Sequence, residues 1–255
     1  MLPFYRYMVI WKDLYTVFGG FATWTYEGLG IISFTNELWT QDRMFPDEGE
    51  RQEGGWAWEG NTKRADRRWF DDHLLMGSGY IAWHAAEHPL YGDIEIGGFR
   101  KDVGRVPPTF LIEEMVHRNA LFCIKHAGAM PLVRLVSLEA EDLGDGLIAV
   151  DARFRNEHVI PTRTEISAQR HIGTPDVFAI SGDGIEVLAG GLRDDRWRPN
   201  QMDLEEHEPQ RILSETGIDG RRETRVRWFL RGSGTVTVSW RGEKGRNVEG
   251  SLELP

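Results

Sequence analysis

The sequence predicts two regions of different class: a mixed α/β region over residues 1–129 and an all-β sandwich over residues 130–255. Three observations carry this. The run Ile31-Ile32-Ser33-Phe34-Thr35 is apolar and β-branched, the composition of a buried strand, while Phe110–Ala127 repeats apolar residues near helical spacing. After Pro131 the pattern changes to short β-type runs separated by turns. Between the two lies Gly128–Pro131, a short Gly/Pro hinge.

The elements follow in chain order. Met1–Trp39 reads as strand, loop, turn, short helix and strand. Thr40–Gly60 is polar, with FPDEGERQEGG at its centre, and reads as an exposed loop. RADRRWFDDHLLM has helical character, its alternating Arg and Asp forming a solvated face. Ile94-Glu95-Ile96 is strand-like and Gly97-Gly98 ends it. In the helix Phe110–Ala127 the apolar positions are Leu111, Met115, Leu121, Phe122 and Ile124; Pro107-Pro108 precede it and Gly128 follows. The sandwich strands are expected at Leu132–Leu138, Leu147–Arg155, Thr162–Ala168, Asp176–Ile180, Ile185–Ala189, Arg225–Arg231, Gly234–Trp240 and Gly250–Leu254. The acidic stretch DLEEHEPQ reads as a loop.

Composition narrows the function classes. Hydrophobic residues make up 40% and charged residues 27%, ordinary for a globular chain able to bury a sizeable core. A net charge of −10 argues against a nucleic-acid surface. No run of about 18 apolar residues is present, so no membrane span is expected. MLPFYRYMVIW lacks the pattern of a signal peptide. The single cysteine, Cys123, rules out an internal disulfide and is expected as a small buried hydrophobe. Trp56, Trp58, Trp69 and Trp83 cluster in sequence, which packing explains as well as a ligand surface does.

The densest motif is YTVFGGFATWTYEGLGIISFTNE, Tyr15 to Glu37. It places a tyrosine before a Gly-Gly turn, then a tryptophan, then an expected strand that ends on a carboxylate. A carboxylate at a strand end is either solvated or presented at the rim of a sheet, where ligands bind in open α/β folds. The order Tyr15, Gly19, Gly20, Trp24, Tyr26, Gly30 and Phe34-Thr35-Asn36-Glu37-Leu38 resembles the C-terminal part of the zinc carboxypeptidase family, the carboxypeptidase A type of metallopeptidase. The segment from His88-Pro89 through Gly92 to Ile94-Glu95-Ile96-Gly97-Gly98 is similar to one that bacterial members carry before their last helix. The resemblance implies a partial zinc-carboxypeptidase fold, a mixed sheet with helices, over residues 1–129. It also implies that Glu37 is the general base and acid and that Tyr15 is the lid phenol. Ala22 and Thr23 would contact the substrate's terminal side chain; neither is charged, so a preference for C-terminal Lys or Arg is not expected.

Zinc is the cofactor the resemblance implies. With three protein ligands and one open position, it lowers the pKa of bound water to about 7 and polarises the scissile carbonyl. The family's His-x-x-Glu pair and later histidine lie N-terminal to the matched motif, and Met1–Leu14 contain no histidine. No metal ligand is therefore assigned in this chain. The expectation is a C-terminal portion of a larger enzyme, inactive alone, with an apolar sheet edge left uncovered and prone to aggregate. His84-Ala85-Ala86-Glu87 matches His-x-x-Glu, but follows the proposed base and is in the wrong order. Glu113, Glu114 and His117 read as a polar helix face.

Two functions remain open at this stage. One is a metallocarboxypeptidase acting on peptide or protein C-termini, which the resemblance would place in the periplasm or outside the cell. The other is a non-catalytic remnant or paralogue whose β-sandwich and aromatic surface bind a protein or glycan.

Overall fold

The computed structural model describes residues 5, 7–39, 64–103, 105–193, 197 and 201–255. The Thr40–Gly60 loop, with Trp56 and Trp58, lies outside the described residues. The chain forms two compact units, one of Met1–Phe18 and Thr35–Cys123, the other of Gly19–Phe34 and Ile124–Pro255.

The second unit is mostly β-sandwich. Its strands are β3 (Val133–Gly144), β4 (Leu147–Asn156), β5 (Asp176–Ser181), β6 (Ile185–Leu192), β7 (Asp203–Leu204), β8 (Arg211–Ser214), β9 (Glu223–Gly232), β10 (Thr235–Arg241) and β11 (Val248–Glu253). They form a four-stranded sheet ordered β11-β10-β5-β8 and a five-stranded sheet ordered β3-β4-β9-β6-β7. Every pairing in these sheets is antiparallel.

Alternation along the strands builds the core. In β10, Val236, Val238 and Trp240 are buried and the residues between them are not; in β9, Val226, Trp228 and Leu230 do the same. Successive side chains of a strand point to opposite faces, so each sheet gives one apolar face to the interior. Val150 stands opposite Trp228 and Val238 opposite Ile180, and all four join one hydrophobic cluster with Phe154 and Phe178. Phe154 and Phe178 meet with centroids 5.3 Å apart and tilted rings, a favourable aromatic arrangement.

Two of the sandwich expectations need correction. Thr162–Ala168 is not a strand: Thr162–Thr164 is a buried loop leading into the helix Glu165–Arg170. Thr162 and Arg163 spend their polar groups on side-chain and carbonyl partners that a strand ladder would not supply. β3 runs on to Gly144 because its turn, Gly144-Asp145-Gly146, has positive φ at all three residues and closes a hairpin with β4. The short β7 and β8 were not expected.

The α-helices in chain order are α1 (Phe21–Leu29), α2 (Arg64–Leu74), α3 (Thr109–Ala127) and α4 (Glu165–Arg170). A single π-turn spans Ile10–Leu14. In the first unit, β1 (Tyr80–His88) and β2 (Gly92–Phe99) form an antiparallel hairpin. Phe70 of α2 is buried beside Trp39, with ring centroids 6.3 Å apart. Buried Asp71 accepts the Gly79 N–H at 2.6 Å, which ties α2 to the start of the hairpin.

The mixed sheet expected over residues 1–129 is not seen among the described residues. Residues 31–39 have no regular secondary structure, and Ile31 and Phe34 are 43% and 52% exposed. A strand needs neighbours for its N–H and C=O groups, and among the described residues no strand pairs with this segment. Helix α3 forms as its periodicity predicts, yet it has no buried residue, and Cys123 on it is exposed rather than buried.

Candidate functional site

Glu37 is exposed, in a segment that side-chain hydrogen bonds hold in place. Asn36 Nδ2 donates to Asn119 Oδ1 at 2.9 Å. Asn119, in the middle of α3, donates through Nδ2 to Tyr5 Oη at 2.8 Å and to the Met115 carbonyl at 2.9 Å. Tyr5 Oη donates onward to the Leu38 carbonyl at 3.2 Å. The residues on either side of Glu37 are thus both anchored.

Tyr15 follows the π-turn in extended backbone, and its N–H donates to the Ile10 carbonyl at 3.0 Å. Tyr15 and Glu37 belong to the first unit; Ala22 and Thr23 are half-buried on α1 in the second. The Ala22 carbonyl accepts from Thr25 Oγ1 at 3.0 Å and Ser33 Oγ at 3.4 Å.

Gly30 closes α1 in the left-handed conformation, φ 63°. Its carbonyl accepts from Thr164 Oγ1 at 3.1 Å and Lys244 Nζ at 2.5 Å. Beside it lies a mostly apolar cavity of about 90 Å³ lined by Ile31, Ile32, Met130, Ile160 and Lys244. Burial holds the Lys244 ammonium below its ordinary pKa, against the opposing pull of Glu243.

Sequence reading missed a buried polar group in the second unit, Asp176. Asp176 Oδ2 accepts from Thr162 Oγ1 at 2.6 Å and Trp240 Nε1 at 3.1 Å, while Oδ1 has no hydrogen-bond partner among the described residues. Burial raises the Asp176 pKa; the Thr162 and Trp240 hydrogen bonds and the charges of Arg163 and Lys244 work against that rise. On the five-stranded sheet, Asp151 pairs with Arg227 and, at 3.2 Å, with Arg193. A polar cleft of about 340 Å³ beside it is lined by residues including Ser137, Arg153 and Arg225.

The described residues do not fit zinc. Among them no three His, Cys, Asp or Glu side chains come together as a metal site. His84 and Glu87 lie three residues apart on β1, so the pleat directs them to opposite faces. Glu114 pairs with Arg118 along α3 instead of joining His117 in a ligand set.

Residues 132–253 match a family described as a domain of unknown function, DUF8731. No curated protein matches the chain. Among solved structures, the chain is similar to the GAE domain of GGA2p from Saccharomyces cerevisiae, at 10% identity over 48% of this chain and 96% of that one. The TM-score is 0.19, too low to carry an argument about fold or function.

The Asn36–Asn119–Tyr5 ring also escaped sequence reading. Its one sequence signal is Asn119 itself, a polar residue with poor helix propensity inside an otherwise regular helix.

Proposed function

We propose that residues 15–38 are part of the active site of a metallocarboxypeptidase that hydrolyses C-terminal peptide bonds. Glu37 is the general base and acid, Tyr15 the lid phenol, and Ala22 and Thr23 the neutral surface that meets the terminal side chain. The supporting observation is the gapless run from Tyr15 to Leu38, with Glu37 exposed between two anchored neighbours. A carboxylate so held can take a proton from an attacking water and return it to the leaving amine. Its exposure leaves it open to a substrate arriving from solvent. In this reading the zinc ligands come from outside the described residues, and residues 130–255 are an accessory β-sandwich without a catalytic role.

In the protein produced from its native gene, Glu37→Gln is expected to lower peptide turnover by about 10²–10⁴-fold, the usual contribution of a positioned base. Thermal melting should be unchanged, because Glu37 is exposed. Undiminished turnover in the variant would remove Glu37 from the role.

A second reading is a non-catalytic module that binds a protein or glycan. It rests on the β-sandwich that residues 130–255 form around one hydrophobic cluster and on the exposed aromatic residues Trp83, Tyr91 and Trp197. Equilibrium dialysis of the native-gene protein against zinc separates the two. Stoichiometric zinc is expected for the enzyme, and none for the module.

A further inference from the structure

A helix gains little from an asparagine in its middle, because the short amide competes for backbone hydrogen bonds. Asn119 of α3 is half-buried, and both protons of its Nδ2 and its Oδ1 are engaged: with Tyr5, Met115 and Asn36. The ring continues from Tyr5 to the Leu38 carbonyl. It therefore grips the backbone segment on both sides of Glu37 and leaves the exposed carboxylate outside the ring. That arrangement suits a group that must be held still while its acceptor oxygens face solvent. A base works only within about 2.6–3.2 Å of the proton it takes, and a misplacement of about 1 Å can cost about 100-fold in rate.

We infer that Asn119 is a positioning residue for Glu37, acting through Asn36 and Tyr5 to fix residues 36–38 against α3. The catalytic meaning of this rests on the proposed role of Glu37; the mechanical part does not. A residue that merely stabilised the helix would be satisfied by its bond to the Met115 carbonyl alone. The closed path to Asn36 and Leu38 is what assigns it to the Glu37 segment.

Backbone order parameters from NMR relaxation on the full chain test the mechanical part. In the wild type, residues 36–38 are expected near the rigid value of about 0.85, and in Asn119→Leu below about 0.6. Those of β4 should not move. Tyr5→Phe removes the link to Leu38 and the acceptor of one Asn119 Nδ2 proton but leaves the Asn36–Asn119 bond; it should loosen Leu38 more than Asn36, and it also carries the test if Asn119→Leu does not fold. Asn36→Leu combined with Asn119→Leu should be no looser than Asn119→Leu alone, because both cut the same link. Unchanged order parameters at 36–38 in Asn119→Leu, or in Tyr5→Phe where only that variant folds, would overturn the inference.

In the native-gene protein, Asn119→Leu is expected to lower kcat by up to about 100-fold with KM little changed. A change confined to KM would overturn the positioning role. If instead Glu37→Gln keeps full turnover, the carboxypeptidase reading fails while the order parameters still decide the ring.

Discussion

Asp176 holds a carboxyl group where its chemistry does not favour one. Its carboxyl is fully buried, with one oxygen doubly hydrogen-bonded and the other without a partner among the described residues. Burial favours the neutral acid, so the folded-state pKa stands above the value of 3.8 that an unfolded chain gives. The linkage sign follows: the unfolded state releases the proton first as pH rises. The stability Asp176 contributes is therefore complete below about pH 4 and is lost as pH rises through its folded pKa. Asp176→Asn keeps an acceptor for Thr162 and Trp240 and cannot ionise. The melting temperature of the variant relative to wild type is expected to rise between pH 4 and pH 8, as followed by circular dichroism at matched salt. A difference independent of pH would mean that Asp176 is already neutral throughout, or never neutral. Nothing in the sequence marked this aspartate, because its burial depends on a loop that local pattern reads as a strand.

The turn at Gly30 joins α1 to α4 in the second unit. A Cβ placed there would lie 1.8 Å from Ser167 Oγ and 3.1 Å from Thr164 Oγ1, on a backbone already at φ +63°. Left-handed backbone alone costs a non-glycine residue roughly 1–2 kcal/mol, and the overlap with α4 adds to it. Gly30→Ala is expected to lower the melting temperature of the second unit by roughly 4 °C or more, the shift about 2 kcal/mol gives at this size. An unchanged melt would show that α1 does not dock on α4 through this turn. Long, strongly patterned elements were legible in the sequence. β4, β5, β9 and β10 begin and end within two residues of expectation, because alternation on a half-buried sheet is a local signal. α3 was legible from its periodicity and flanking prolines. The segment 31–35 was misread because β-branched composition records a preference for pairing and does not supply a partner. The short β7 and β8 were missed because two and four residues are too few to show a period. Of the candidate site, Tyr15 and Glu37 came from motif order alone, whereas the Asn119 ring joins residues more than 80 positions apart and has no local pattern.

The two units differ in how completely they satisfy their own sequence. The sandwich gathers Phe154, Phe178, Trp228 and Trp240 with its inward-facing aliphatic residues in one buried cluster. By contrast, in the first unit Phe110 and Val116 of α3 remain 61% and 54% exposed, and Tyr7, Trp11 and Phe18 are exposed as well. No helix among the described residues is long and apolar enough to cross a membrane. The central claim is that Glu37 acts as the base of a carboxypeptidase. Its most direct test is release of the C-terminal residue from peptides by the native-gene protein with zinc present, wild type against Glu37→Gln. The account predicts release of uncharged terminal residues in preference to Lys or Arg, falling about 10²–10⁴-fold in the variant. No release by the wild type, or equal release by both, would contradict it.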